Sequence, residues 1–77
     1  MDADPRKDFV VSFAPGFRLK GQGNENVELE ENGSVLKVRG VLMHDLGFFT
    51  FYTPTPIALP ENKIRSVTRS GVKIFPH

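Results

Sequence analysis

Glycine and proline punctuate this chain so densely that a helical fold is excluded before any motif is read. Seven Gly and six Pro are spread over 77 residues. Between Pro15 and Pro76 they argue against long helices, with Asn24 to Glu31 the one stretch read as open to a short one. Gly weakens a helix interior and Pro breaks it, whereas both are at home in turns. The segments between the breakers are short, rich in Val, Ile, Phe and Thr, and read as strands bounded by turns.

Phe9-Val10-Val11-Ser12-Phe13 is one such run, ended by Ala14-Pro15-Gly16. Asn26-Val27-Glu28-Leu29-Glu30 alternates with period two, which sets Val27 and Leu29 on one face of a strand and the glutamates on the other. Asn32-Gly33 follows, the pair best suited to the positive φ angles of a tight hairpin, and Val35-Leu36-Lys37-Val38-Arg39 then alternates up to Gly40. The stretch from Gly47 to Thr53 is aromatic and β-prone, and it runs into Pro54-Thr55-Pro56-Ile57-Ala58-Leu59-Pro60. Proline cannot donate to a ladder, so an edge strand or a break between two short strands is predicted there. Lys63 to Thr68 and Val72 to Phe75, joined through Arg69-Ser70-Gly71, predict a second hairpin. Six or seven strands without repeats or helical crossovers point to an all-β fold, an antiparallel sandwich or a small barrel.

A chain of this length holds one domain, hides only about 60% of its unfolded surface on folding, and so has a thin core that another chain often completes. We expect a charged, disordered tail over residues 1–7 and a single domain over 8–77. The tail lacks the apolar segment of a signal peptide, and no run is long and apolar enough to span a bilayer, so a soluble protein is expected. The absence of Cys removes disulfides, thiolate nucleophiles and Cys-based zinc sites, and suits a cytoplasmic or nuclear setting. A net charge of +1 gives no general pull toward nucleic acid or anionic membrane.

Taken in order, the series Phe9 to Phe17 and then Val27 to Gly40 resembles the first half of the alpha-crystallin domain of the small heat-shock proteins. Phe51 to Leu59-Pro60-Glu61-Asn62 is similar to that family's aromatic strand ending in Leu-Pro, and Ile64-Arg65-Ser66 through Ser70-Gly71-Val72 to its closing strands. The resemblance implies an immunoglobulin-like β-sandwich of six to eight short strands. It also implies ATP-independent, holdase-type binding of extended polypeptide segments, with a homodimer among its associations and no cofactor. The peptide groove of the family places Val27, Leu29, Ile64, Ser66 and Val67 as groove residues, against the ordinary reading that they are core. Departures favour a second version, a divergent scaffold that docks one dedicated partner in a regulatory complex. Only Val41 to Gly47 stand where many relatives carry a long dimerisation loop, Lys73 replaces the Leu after the Gly-Val pair, and the Ile-x-Ile tail and N-terminal arm are missing, as in an excised or divergent member.

Catalysis finds little support. His77 ends the sequence, and His44 beside Asp45 reads as a surface or loop-packing residue, because sequence neighbours seldom face each other as a base and its orienter must. Glu25, Glu28, Glu30 and Glu31 read as the wet face of a strand and its turn, and Glu30, Glu31 and Asn32 would supply a hard metal only in part. Gly21 and Gly23 lack the following helix and Lys-Ser or Lys-Thr pair of a phosphate loop. A nucleic-acid-binding barrel is the remaining class, carried by Lys63, Arg65, Arg69 and Lys73 with Phe48, Phe49, Phe51 and Tyr52 as stacking surfaces. Against it, the phenylalanines must also build the core of a chain without Trp.

Overall fold

A computed structural model describes residues 6–20, 25–30 and 32–76. The seven strands are β1 (Lys7–Phe13), β2 (Val27–Glu30), β3 (Val35–Asp45), β4 (Phe48–Tyr52), β5 (Pro56–Pro60), β6 (Ile64–Arg69) and β7 (Val72–Phe75). A single 3-10 turn, Glu61–Lys63, separates β5 from β6. All pairings are antiparallel, in the order β5-β4-β3-β1-β6-β7, with β2 also paired to β3. The all-β antiparallel fold expected from the punctuation is the fold observed.

One strand joins two sheets. The first part of β3, Val35 to Gly40, pairs with β1, and Val35 to Val38 also pair with β2 on the other edge. The second part, Val41 to Asp45, pairs with β4. The first sheet is thus β2-β3-β1-β6-β7 and the second β3-β4-β5. Gly40 sits at the changeover. A Cβ there would lie 2.3 Å from the Tyr52 carbonyl oxygen, so only glycine lets β3 pass this close to the end of β4.

That crossing corrects the reading of Val41 to Gly47 as a connection after a strand ended by Gly40. Val41 to Asp45 continue the strand, and Leu46-Gly47 close a two-residue hairpin with φ of 54° and 79°. The glycine marks close backbone approach instead of termination. The two hairpins read from sequence form as expected, with positive φ at Asn32 and Gly33 and at Ser70 and Gly71. β5 is the predicted edge strand. N–H groups alternate between the two edges of a strand. Positions 56, 58 and 60 therefore share one edge; with proline at both 56 and 60, β4 bonds to Ile57 and Leu59, and the outer edge offers only the N–H of Ala58.

Inward side chains form rows across the first sheet. Leu29, Leu36, Val11, Val67 and Phe75 stand opposite one another in successive strands, as do Val27, Val38 and Phe9. The second sheet contributes Phe49, Phe51, Ile57 and Leu59, all buried. Phe9 and Phe51 meet edge to face across the sandwich at 5.4 Å, and Phe75 meets Phe49 at 4.9 Å, so that β7 closes over the far end of the core. Val11, Leu36, Val67 and Phe51 have no exposed surface, and each such side chain contributes about 1.5–3 kcal/mol by burial. Lys7 already pairs opposite Gly40, so of the tail expected over 1–7 the last residue is strand. Residues 1–5, the Gly21 and Gly23 loop positions, Glu31 and His77 lie outside the described residues.

Candidate functional site: an apolar sheet face

The two sheets turn different outer faces to water. On β3 the residues Lys37, Arg39, Val41, Met43 and Asp45 all point outward by strand alternation. Before Gly40 that face is charged and after it mostly apolar. Around the first sheet Lys37 Nζ lies 2.6 Å from Glu30 Oε1, and Arg39 donates to Asp8 at 3.3 Å. The hydrogen bond and charge of Glu30, with a further push from Glu28, hold the Lys37 ammonium above its ordinary range. A cavity of about 280 Å³ beside these pairs is lined by Asp8, Glu28, Lys37 and Arg39 together with Phe9 and Val10, among others, so that charged side chains surround an apolar floor.

The second sheet presents apolar side chains instead. Pairing sets Val41 beside Tyr52 and Pro56, Met43 beside Thr50 and Ala58, and Asp45 beside Phe48 and Pro60. Met43 is 54% exposed, Phe48 47%, Tyr52 44% and Val41 41%. At the tip of the β3–β4 hairpin Leu46 is 88% exposed. A shallow depression of about 340 Å³ is lined by Met43, Asp45, Leu46, Phe48, Thr50, Tyr52 and Ala58, with Asp45 its one charged residue. Scattered exposed apolar side chains are ordinary; these stand contiguously on one sheet face.

Leu46 departs from two rules at once. Its φ of 54° lies in the left-handed region, which costs a bulky L-residue roughly 1–2 kcal/mol and which Asn or Gly adopts readily. It also leaves nearly all of its side chain in water. Local violations of this kind, without compensation inside the fold, concentrate at functional positions.

The five groove positions expected from the family resemblance occupy two strands of the first sheet. Val27, Ile64 and Val67 are buried in the chain's own core. Leu29 is partly buried against that core and Ser66 is half-buried. β2 and β6 are not neighbours, since β3 and β1 stand between them. The structure therefore does not join the five into one wall within the sheet.

The remaining candidates are dispersed. His44 lies in β3 and not in a loop; it packs as expected, stacked on the Phe49 ring at 4.0 Å, near Phe75, with Nε2 2.5 Å from Glu61 Oε1. Its partner in space is Glu61, 17 residues away, and not its sequence neighbour Asp45. Glu30 is engaged by Lys37, and among the described residues no three His, Asp or Glu side chains group as a metal site would require. The aromatic run divides by alternation: Phe49 and Phe51 are core, Phe48 and Tyr52 face outward. Lys63, Arg65, Arg69 and Lys73 are exposed on the 3-10 turn, β6 and β7; Arg69 lines a small depression with Lys7, Val41 and Leu42, and none of the four lines the depression that holds Phe48 and Tyr52.

No helix among the described residues is long and apolar enough to cross a membrane. No family model, no curated protein and no solved structure matches the chain.

Proposed function

We propose that this chain is a non-enzymatic protein-binding module that works through the outer face of its second sheet. The observation that supports it most is the change of character along β3, charged at Lys37 and Arg39 and apolar at Val41 and Met43 on one continuous face. Water-exposed Phe48, Tyr52 and Leu46 extend that apolar surface across the hairpin. Interfaces favour aromatic and Met anchors and exclude charge from their centre, which describes this face. A nucleic-acid platform needs cations around its stacking rings. Here the charged residue in the depression is an aspartate, so the barrel-type nucleic-acid reading is the weaker one.

Both versions of the alpha-crystallin-like reading, a general holdase and a dedicated scaffold, are compatible with such a face, and they differ in how many polypeptides it accepts. Titrating the isotope-labelled chain with a reduced and blocked, permanently unfolded protein separates them. A holdase shifts the amide signals of Val41, Met43, Thr50 and Tyr52. Shifts at Leu29 and Ser66 would instead place binding at the groove positions of the resembled family. A chain that ignores unfolded polypeptide altogether is not a holdase and is left as a scaffold for one folded partner.

A further inference from the structure

We infer that the folded partner which fits the outer face of the second sheet is a second copy of this chain, packed face to face about a two-fold axis. The inference rests on the reading of that face as a binding surface, and it names the occupant. Three observations carry it.

The first is area. The exposed parts of Val41, Met43, Leu46, Phe48 and Tyr52 sum to about 500 Å² per copy, so a symmetric pair that covers all of them buries about 1,000 Å², the least that a specific interface needs. A chain with so small a core gains from covering it.

The second is the distribution of polar groups. Asp45 sits at the hairpin end of the face and Tyr52 at the other end, four residues along β4 from Phe48, or about 13 Å. An axis lying between the sheets, across the strands and over the Met43–Thr50–Ala58 row, reverses strand direction between copies. Each Asp45 then lies over the Val41–Tyr52 row of its partner, where the tyrosine hydroxyl can donate to the carboxylate. This happens twice, and the two carboxylates stay apart. An axis along the strands would instead leave both carboxylates at the same end without a donor. A two-fold interface must be self-complementary, and this face is so in one orientation.

The third is Leu46. A leucine in the left-handed region, almost wholly in water, is a poor solution for an isolated hairpin turn. In the antiparallel packing it extends past the Asp45–Phe48 row and over the partner's Tyr52–Pro56 end, which gives the side chain apolar cover.

Sedimentation equilibrium of the whole chain from low micromolar to several hundred micromolar tests this, together with thermal melts. The wild type is expected to approach twice its monomer mass. Met43→Lys places a charge at the centre of the face and should weaken dimerisation at least tenfold. Leu46→Asn should weaken it severalfold while leaving the melting temperature at low protein concentration unchanged or raised, because Asn accepts the positive φ; this variant keeps the test valid if Met43→Lys folds poorly. Val72→Lys, at an exposed apolar position on β7, should leave the dimer intact. A wild type that stays monomeric throughout, or a dimer indifferent to both Met43→Lys and Leu46→Asn, overturns the second-copy inference. In the monomeric case, unfolded-polypeptide shifts on Val41, Met43 and Tyr52 would preserve the reading of the face as a binding surface, and their absence would overturn that as well.

Discussion

Single residues decide where this fold bends and what it shows to water. Gly40 is the sharpest case, because its missing side chain is occupied space: the Tyr52 carbonyl oxygen, the Tyr52 carbonyl carbon and the Thr53 nitrogen all lie within 3.3 Å of where a Cβ would be. Backbone cannot swing aside as a side-chain tip can. Gly40→Ala is therefore expected to destabilise the chain by about 2–3 kcal/mol, the scale of an overpacked core position. Urea titration checks this, and a loss under 0.5 kcal/mol would mean that β4 relaxes away freely. Gly47, whose Cβ would meet nothing within 4 Å, is held by its φ of 79° instead, so replacing it strains the turn without any clash. The two glycines were equally visible in the sequence, but the difference between them is a matter of neighbours that the sequence does not list in space.

At the scale of elements, the prolines of β5 act on the edge they border. With Pro56 and Pro60 both lacking N–H, the outer edge of the second sheet offers one donor to an incoming strand. Replacing both with Thr restores a β-prone edge beside the apolar face. We expect the double variant to aggregate faster than the wild type at equal concentration, measured by light scattering at 37 °C, and unchanged aggregation would show that the edge is blunted by something other than its prolines. Hairpins were the most legible elements, since Asn32-Gly33 and Ser70-Gly71 pair a φ-tolerant residue with glycine between alternating strands. The Leu46-Gly47 hairpin was illegible for the same physical reason that makes it interesting: leucine is a poor turn residue, and Val41-Leu42-Met43 is apolar on both faces, which erases the period. The same lack of alternation hid the candidate face. Phe48-Phe49-Thr50-Phe51-Tyr52 reads either as core or as a stacking surface, and only pairing and burial divide it, with Phe48 and Tyr52 pointing away from the core. Conversely, the alternation of Val27 and Leu29 and the run Ile64 to Val67 were readable as strands, but whether their apolar sides serve core or partner was not, and Val27, Ile64 and Val67 turned out to be core.

For the whole molecule, the sequence pattern foretold an all-β fold, and among the described residues twelve buried apolar side chains form one cluster drawing on every strand except β7, whose Ile74 and Phe75 pack against it. Nothing in the composition foretold that one sheet would be wet and the other apolar on the outside, because that contrast depends on which half of β3 each residue occupies. It also depends on β3 belonging to both sheets. Leu36 and Val38 are held between β1 and β2, while Leu42 and His44, a few residues on, are held by β4. A strand held in this way cannot release one sheet and keep the other. Native-state amide exchange should therefore find the protected amides of β1, β3 and β4 opening with a single free energy and a single denaturant dependence. If β4 and β5 exchanged through a separate, cheaper opening, Gly40 would be a hinge; if they do not, it is a splice, and the molecule has one cooperative unit in which the binding face stays ordered for as long as the core does.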